Sequence, residues 1–91
     1  SSDERLKENV KPIENPLDKV LNISGNTYTW KEGCALSGDD TGVIAQEIES
    51  LGLPGVVETR ADGFKAVRYE RLVPVLIEAI KELSAKVDAL S

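Results

Sequence analysis

Val73-Pro74-Val75-Leu76-Ile77-Glu78-Ala79-Ile80-Lys81-Glu82-Leu83-Ser84-Ala85-Lys86-Val87-Asp88-Ala89-Leu90 is the stretch on which the fold turns. Within it, Val73, Leu76, Ile80, Leu83, Val87 and Leu90 recur at spacings of 3-4-3-4-3. That is an a/d heptad pattern with a β-branched residue at every a and Leu at every d. The pattern predicts one long helix from Glu70 to Ser91, with Pro74 in its first turn, where a missing N–H costs little. Such a helix either packs on its own domain or forms a seam with other chains. The stripe continues to the last residues, Leu72, Ile77 and Ala79 widen it, and a helix of about 20 residues is marginal alone in water. These features favour a seam between chains. The β-branched and Leu choice nominally favours dimers, but the stripe is short and wide.

Working back towards the N-terminus, Asp62-Gly63 is a hairpin turn signal between Val56–Thr59 and Phe64–Tyr69. Neither face of the second arm is uniformly apolar. Val43, Ile44, Glu47 and Ile48 carry helical spacing, closed by Gly52. Residues 32–41 read as loop, and Thr27-Tyr28-Thr29-Trp30 as a strand with its aromatics on one face. Tyr28, Trp30 and Ile44 are expected in the core. Leu17, Val20 and Leu21 give a short helix after Pro16, and Ser2 or Asp3 caps a short first helix or extended lead-in through Val10. The fold class is α+β: short helices, a small hairpin region and a long C-terminal helix.

At 91 residues the chain allows one domain, expected to span residues 1–91, and its size makes help from a partner chain plausible. Eleven basic against sixteen acidic residues give a net charge of −5. An acidic chain without a basic cluster is a poor candidate for nucleic acid or an anionic membrane. No apolar run approaches the roughly 20 residues needed to span a bilayer. The polar start, Ser1-Ser2-Asp3-Glu4-Arg5, is unlike a signal peptide. Without an initiator methionine, a processed product or an excised piece of a longer chain is expected.

Histidine is absent and Cys34 is the single cysteine. Imidazole bases, His-containing triads, His-rich zinc sites and intrachain disulfides are therefore excluded. A single thiol fits folding in a reducing cytoplasm. Cys34 reads as an incidental thiol in a Gly-rich loop, the carboxylates as a solvated surface, and the glycines form no phosphate loop. No cofactor or metal is expected. Ser2 stands five residues before Lys7. A serine with a desolvated lysine as its base is a known substitute for the Ser–His pair. Five residues turn a helix by about 140°, so the two side chains do not share a helical face. A dyad requires Ser2 in an extended segment or a partner from a neighbouring subunit. By spacing alone, a cap followed by surface charges accounts for the same residues.

Ser2-Asp3-Glu4-Arg5-Leu6-Lys7-Glu8-Asn9-Val10, Leu17 to Leu21, Tyr28-Thr29-Trp30-Lys31 and Gly42-Val43-Ile44-Ala45-Gln46-Glu47 occur in order. Pro54-Gly55-Val56-Val57, Val67-Arg68-Tyr69 and Leu72 to Leu83 follow. Together they resemble the C-terminal intramolecular chaperone domain of bacteriophage tailspikes and tail fibres, a self-cleaving peptidase family of the endosialidase type. The resemblance runs from about Ser2 to Leu83. It implies a homotrimer at the end of a fibrous protein, which registers three chains, lets the upstream β-structure fold and then cuts itself off. It also implies Ser2 as nucleophile and Lys7 as general base, with the scissile bond beside Ser2, on its N-terminal side. Residues 70–91 become the trimerisation helix, with Val73, Leu76, Ile80, Leu83, Val87 and Leu90 as the seam. In that reading the domain acts in the bacterial host cytoplasm during phage assembly and is released from the mature fibre. Asp3 is either a cap or an orienter of the dyad, and Arg5 is either solvated or paired with another chain. Gln46 and Glu47 are either helix-surface polarity or contacts to the upstream structure or cleavage site. The competing readings are a trimerisation module that does not cut and an adaptor for a separate helical partner.

Overall fold

A computed structural model describes all 91 residues and has the expected α+β composition. A 3-10 turn at Glu4–Leu6 is followed by chain without regular secondary structure, extended at Lys7 and left-handed at Asn9 and Asn15. Then come α1 (Pro16–Leu21), β1 (Asn26–Thr29), β2 (Asp39–Gly42), α2 (Ala45–Glu49), β3 (Val57–Thr59), β4 (Lys65–Val67), a 3-10 turn at Tyr69–Leu72 and α3 (Val73–Asp88). The strands form two separate antiparallel pairs, β1 with β2 and β3 with β4.

The long helix is shorter than its heptad pattern predicts. Pro74 has no N–H, so the Glu70 carbonyl has no donor four residues on. The chain winds as a 3-10 turn through Leu72 and becomes α-helical at Val73. The lead-in forms only three residues of 3-10 helix before turning extended at Lys7. The largest departure is β2, which occupies the end of the expected loop. Asp39 and Asp40 are poor strand formers, yet each side chain is used across the ribbon. Thr29 Oγ1 donates to Asp39 at 2.6 Å, and Trp30 Nε1 donates to Asp40 at 3.1 Å. Cross-strand bonds thus replace the missing apolar signal. At the hairpin, Thr59 pairs with Lys65, and the Arg60 N–H donates to the Phe64 carbonyl at 2.8 Å. Gly63 sits in the turn at φ +89°, which explains the Asp-Gly signal.

Little of this chain is interior. Only Ile48, Val56, Leu72, Val75 and Ala79 are buried, Ile48 and Val75 completely. Ile48, Val56 and Leu72 form one cluster, against which Ile23, Val43, Leu53, Val57 and Val67 pack. Tyr28 and Trp30, expected in the core, are half-buried and stack edge to face at 5.1 Å, while Ile44 is exposed. They lie at the base and side of a two-stranded ribbon, where no second layer covers them. The molecule measures 51 × 37 × 20 Å with a radius of gyration of 16.2 Å. A compact chain of this length has a radius near 12 Å. Its accessible surface is 7378 Å², against about 5,200 Å² for a compact monomer of this mass.

Candidate functional site: the N-terminal arm and the two faces of the last helix

Asp3 adopts an extended conformation and caps the first turn, accepting from the Arg5 N–H at 2.9 Å. Arg5 also donates through Nε and Nη2, so both carboxylate oxygens are taken. The Arg5 side chain first, and its backbone N–H second, hold the Asp3 carboxyl below the usual carboxylate range. Asp3 is therefore a cap engaged by Arg5, and its carboxylate is not directed at Lys7. Arg5, in turn, pairs within its own chain and remains in solvent.

Ser2 lies outside regular secondary structure, immediately before the capping Asp3, and Lys7 closes the turn with its N–H on the Glu4 carbonyl at 3.1 Å. Both side chains are exposed, and they make no hydrogen bond to one another within this chain. A lysine becomes a base when desolvation removes its proton. The single chain supplies no such burial around Lys7.

Glu47 has a definite structural task. Its Oε1 accepts from the Ser24 N–H at 3.0 Å and from Ser24 Oγ at 2.7 Å, tying α2 to the segment entering β1. Asn26 braces the same serine through its amide. At the same end of the ribbon, where Asn26 pairs with Gly42, the Val43 N–H donates to Tyr69 Oη at 3.0 Å. A side chain at Gly42 would run into the Tyr69 hydroxyl and stand 3.0 Å from the Tyr28 hydroxyl. The ribbon is thus held to the body by two polar clamps. Its spacing carried no sign of either, because both partners are distant in sequence. Gln46 is exposed. Gly55 accepts at its carbonyl from Arg68 at 3.1 Å and Arg71 at 2.9 Å, and Arg68 pairs with Glu58 at 2.6 Å.

The last helix divides its apolar residues between two faces. Leu72, Val75 and Ala79 turn inward, with α1 packed along the helix. Glu82 reaches the start of α1, accepting from the Leu17 N–H at 3.3 Å. Val73, Leu76, Ile80, Leu83, Val87 and Leu90 all face solvent, as does Ile77. Leu72 and Ala79 therefore belong to the chain's own interior instead of widening the outer stripe; of the three flanking residues, only Ile77 does that. Cys34 is exposed, no group of His, Cys, Asp or Glu side chains is arranged to hold a metal, and no helix is long and apolar enough to cross a membrane.

The chain thus combines an acidic surface, a thin core, an exposed N-terminal arm and an apolar helix face open to solvent. Residues 2–58 match a peptidase family described as the chaperone of endosialidase. The chain is also similar to the long tail fiber protein Gp37 of Enterobacteria phages K3 and T2, at 37% identity over 98% of its own length in both. It is 40% identical to the same protein of Salmonella phage S16 over 75% of its length. These relatives are far longer: the matched part is 8%, 7% and 10% of them, respectively. The chain belongs to the endosialidase-chaperone family, related to a segment of phage long tail fibres.

Proposed function

We propose that this chain is the intramolecular chaperone of a phage tail fibre or tailspike. Three copies associate through the outer stripe of α3 and hold three fibre chains in register while the upstream β-structure folds. The observation that carries this reading is the division of α3. One apolar face is satisfied by the chain itself, while the other, from Val73 to Leu90, is in water along its whole length. Contiguous apolar surface of that kind marks an interaction site. Alignment matters because parallel pairing of long strands is slow and register errors are costly. A clamp at one end raises the effective concentration of the three chains.

The domain then releases itself by a single serine autoproteolysis beside Ser2, the hydroxyl attacking the preceding carbonyl. Lys7 takes the hydroxyl proton and passes it to Ser2's own nitrogen, which leaves as an amine while the Ser1 carbonyl forms an ester with Ser2 Oγ. Water then hydrolyses that ester, giving a carboxylate on the upstream chain and restoring the Ser2 hydroxyl at the start of the freed domain. The placement of Ser2 outside the turn, just before Asp3, and the family membership support this step. Desolvation of Lys7 has to come from a neighbouring copy or from the upstream fibre of the same polypeptide. The setting is the bacterial host cytoplasm during assembly, with the domain leaving the mature fibre. A trimerisation module that does not cut is the second reading, favoured by the solvent around Lys7. An adaptor for a separate helical partner would keep the isolated chain monomeric.

The test is intact mass by denaturing mass spectrometry on the chain carrying several dozen native upstream residues, beside Ser2→Ala and Lys7→Ala, with sedimentation of each. The proposal expects two fragments whose masses locate a cut beside Ser2, whole variants, and a trimer throughout. A parent that trimerises but stays whole overturns the protease step. A parent that stays monomeric overturns the chaperone reading.

A further inference from the structure

We propose that α1 of one chain packs against the Ile77 flank of the next, so that each copy in the ring has a giving and a receiving side. The proposal rests on the three-chain reading above and names the second contact that such a ring makes outside its central seam.

On the heptad wheel of α3, Val73 and Ile80 occupy a, Leu76 and Leu83 occupy d, Leu72 and Ala79 occupy g, and Ile77 occupies e. The g side, with Val75 at c beside it, faces the chain's own body: Leu72 packs in the cluster with Ile48 and Val56, and α3 is flanked along its length by α1. That helix runs antiparallel to α3: Leu17 meets Glu82, and Ile23 packs against the cluster holding Leu72. Leu17 and Val20 are half-buried towards α3. Leu21 is 74% exposed and sits roughly 40° round the helix from Leu17. Because the two helices are antiparallel, that rotation carries Leu21 towards the d side of α3, beside the open stripe.

The e flank has the opposite character. Ile77 is 50% exposed and, with Pro74, forms one wall of a shallow groove whose other wall is Val10, Pro12 and Ile13 of the N-terminal arm. Val10 is itself 77% exposed. An a/d seam of three helices leaves both residues outside its core. In a parallel assembly the g flank of each helix faces the e flank of its neighbour. Here that juxtaposition brings the Leu21 side of one α1 to the Ile77–Val10 groove of the next copy. The levels agree, since Leu21 lies between the heights of Glu82 and Leu72 and Ile77 lies in the same interval. The contact is heterologous and closes after three copies. The area also agrees. The chain exposes about 2,200 Å² more than a compact monomer of its mass, room for two faces of about 800 Å² each, and each member of a ring has two.

The test is a double variant, Leu21→Cys with Ile77→Cys, in a chain carrying Cys34→Ser, oxidised and run on a non-reducing gel beside both single variants. Sedimentation of the same chains runs in parallel. Bridging requires Cα atoms within about 7 Å, and the two positions lie on different flanks of α3 within one chain. The proposal expects covalent trimers from the double variant and monomers from either single one. A double variant that sediments as a trimer yet forms no intermolecular disulfide overturns the flank contact and leaves the three-chain reading standing. Sedimentation as a monomer overturns both. Should circular dichroism show that pair to be unfolded, Val10→Cys replaces Ile77→Cys with the same outcomes.

Discussion

Replacing Ile80 with alanine separates a helix face that is buried between chains from one that stays in water. Ile80 occupies the middle a position of the outer stripe and is 65% exposed in the single chain. Full burial of an isoleucine side chain is worth about 2.5 kcal/mol. The part still in water therefore represents about 1.6 kcal/mol per chain. Three copies lose about 5 kcal/mol together, three to four orders of magnitude in the dissociation constant of a trimer, at roughly 1.4 kcal/mol per tenfold. In a chain whose stripe stays in water, the same change is a surface substitution worth at most about 0.5 kcal/mol. Alanine is also the better helix former by a few tenths of a kcal/mol, roughly, so the helix itself is not weakened. Sedimentation equilibrium over a wide concentration range, with far-ultraviolet circular dichroism as a check on folding, reads the difference. The expected result is a trimeric parent at concentrations where Ile80→Ala is monomeric and still helical. Equal association states for the two proteins at every concentration would refute the reasoning.

Three further substitutions probe the body of the domain. Gly42→Ala drives a methyl into the Tyr69 hydroxyl and should destabilise by about 1–3 kcal/mol in urea unfolding, with Tyr69→Phe relieving much of it; simple additivity of the two changes would contradict the packing. Glu47→Ala leaves the Ser24 N–H and hydroxyl without their acceptor and should cost about 1–3 kcal/mol, while Glu47→Gln, which keeps an acceptor oxygen, should cost less. Equal losses would show that the carboxylate does not act through those bonds. Asp40 accepts from the Thr41 N–H and the Trp30 indole, in that order of influence, and both hold its carboxyl below the usual range. Its contribution is therefore present above the unfolded value near 3.9 and is lost as pH falls through the lower folded value. Emission of Trp30, the single tryptophan, should titrate with a midpoint below that of a free aspartate, and the step should vanish in Asp40→Asn; a midpoint at or above 3.9 would remove the link.

Local signals carried much of the fold. Pro16 with Leu17, Val20 and Leu21, Asp62-Gly63, Gly52 and the heptad spacing each act over a few residues, and each corresponds to an observed element. What was hidden depends on distant partners. β2 could not be read from Asp39-Asp40-Thr41-Gly42, because its cohesion comes from Thr29 and Trp30 across the ribbon. The assignment of Tyr28, Trp30 and Ile44 to the core failed because hydrophobic character reports a preference for burial, and this chain has too little interior to satisfy it. The heptad pattern predicted an apolar stripe on α3. Only the packing of the body against the helix, α1 included, reveals that Leu72, Val75 and Ala79 are already used, leaving a narrower face than the full set of apolar residues suggests. Ser2 and Lys7 are apparent as residue types at a spacing, and the single chain leaves both exposed.

Five buried side chains are a thin interior for 91 residues, and that thinness has a meaning in terms of mass action. In the proposed trimer, a chain that finished its interior only with two identical neighbours would form product in proportion to the cube of its free concentration. Tenfold dilution of the free chain would then lower the trimer about a thousandfold, and the trimer relative to free chain about a hundredfold. Folding would become a vote that requires a quorum of three. Poor solitary stability would thereby be an advantage: a lone chain end would remain uncommitted until both companions had arrived.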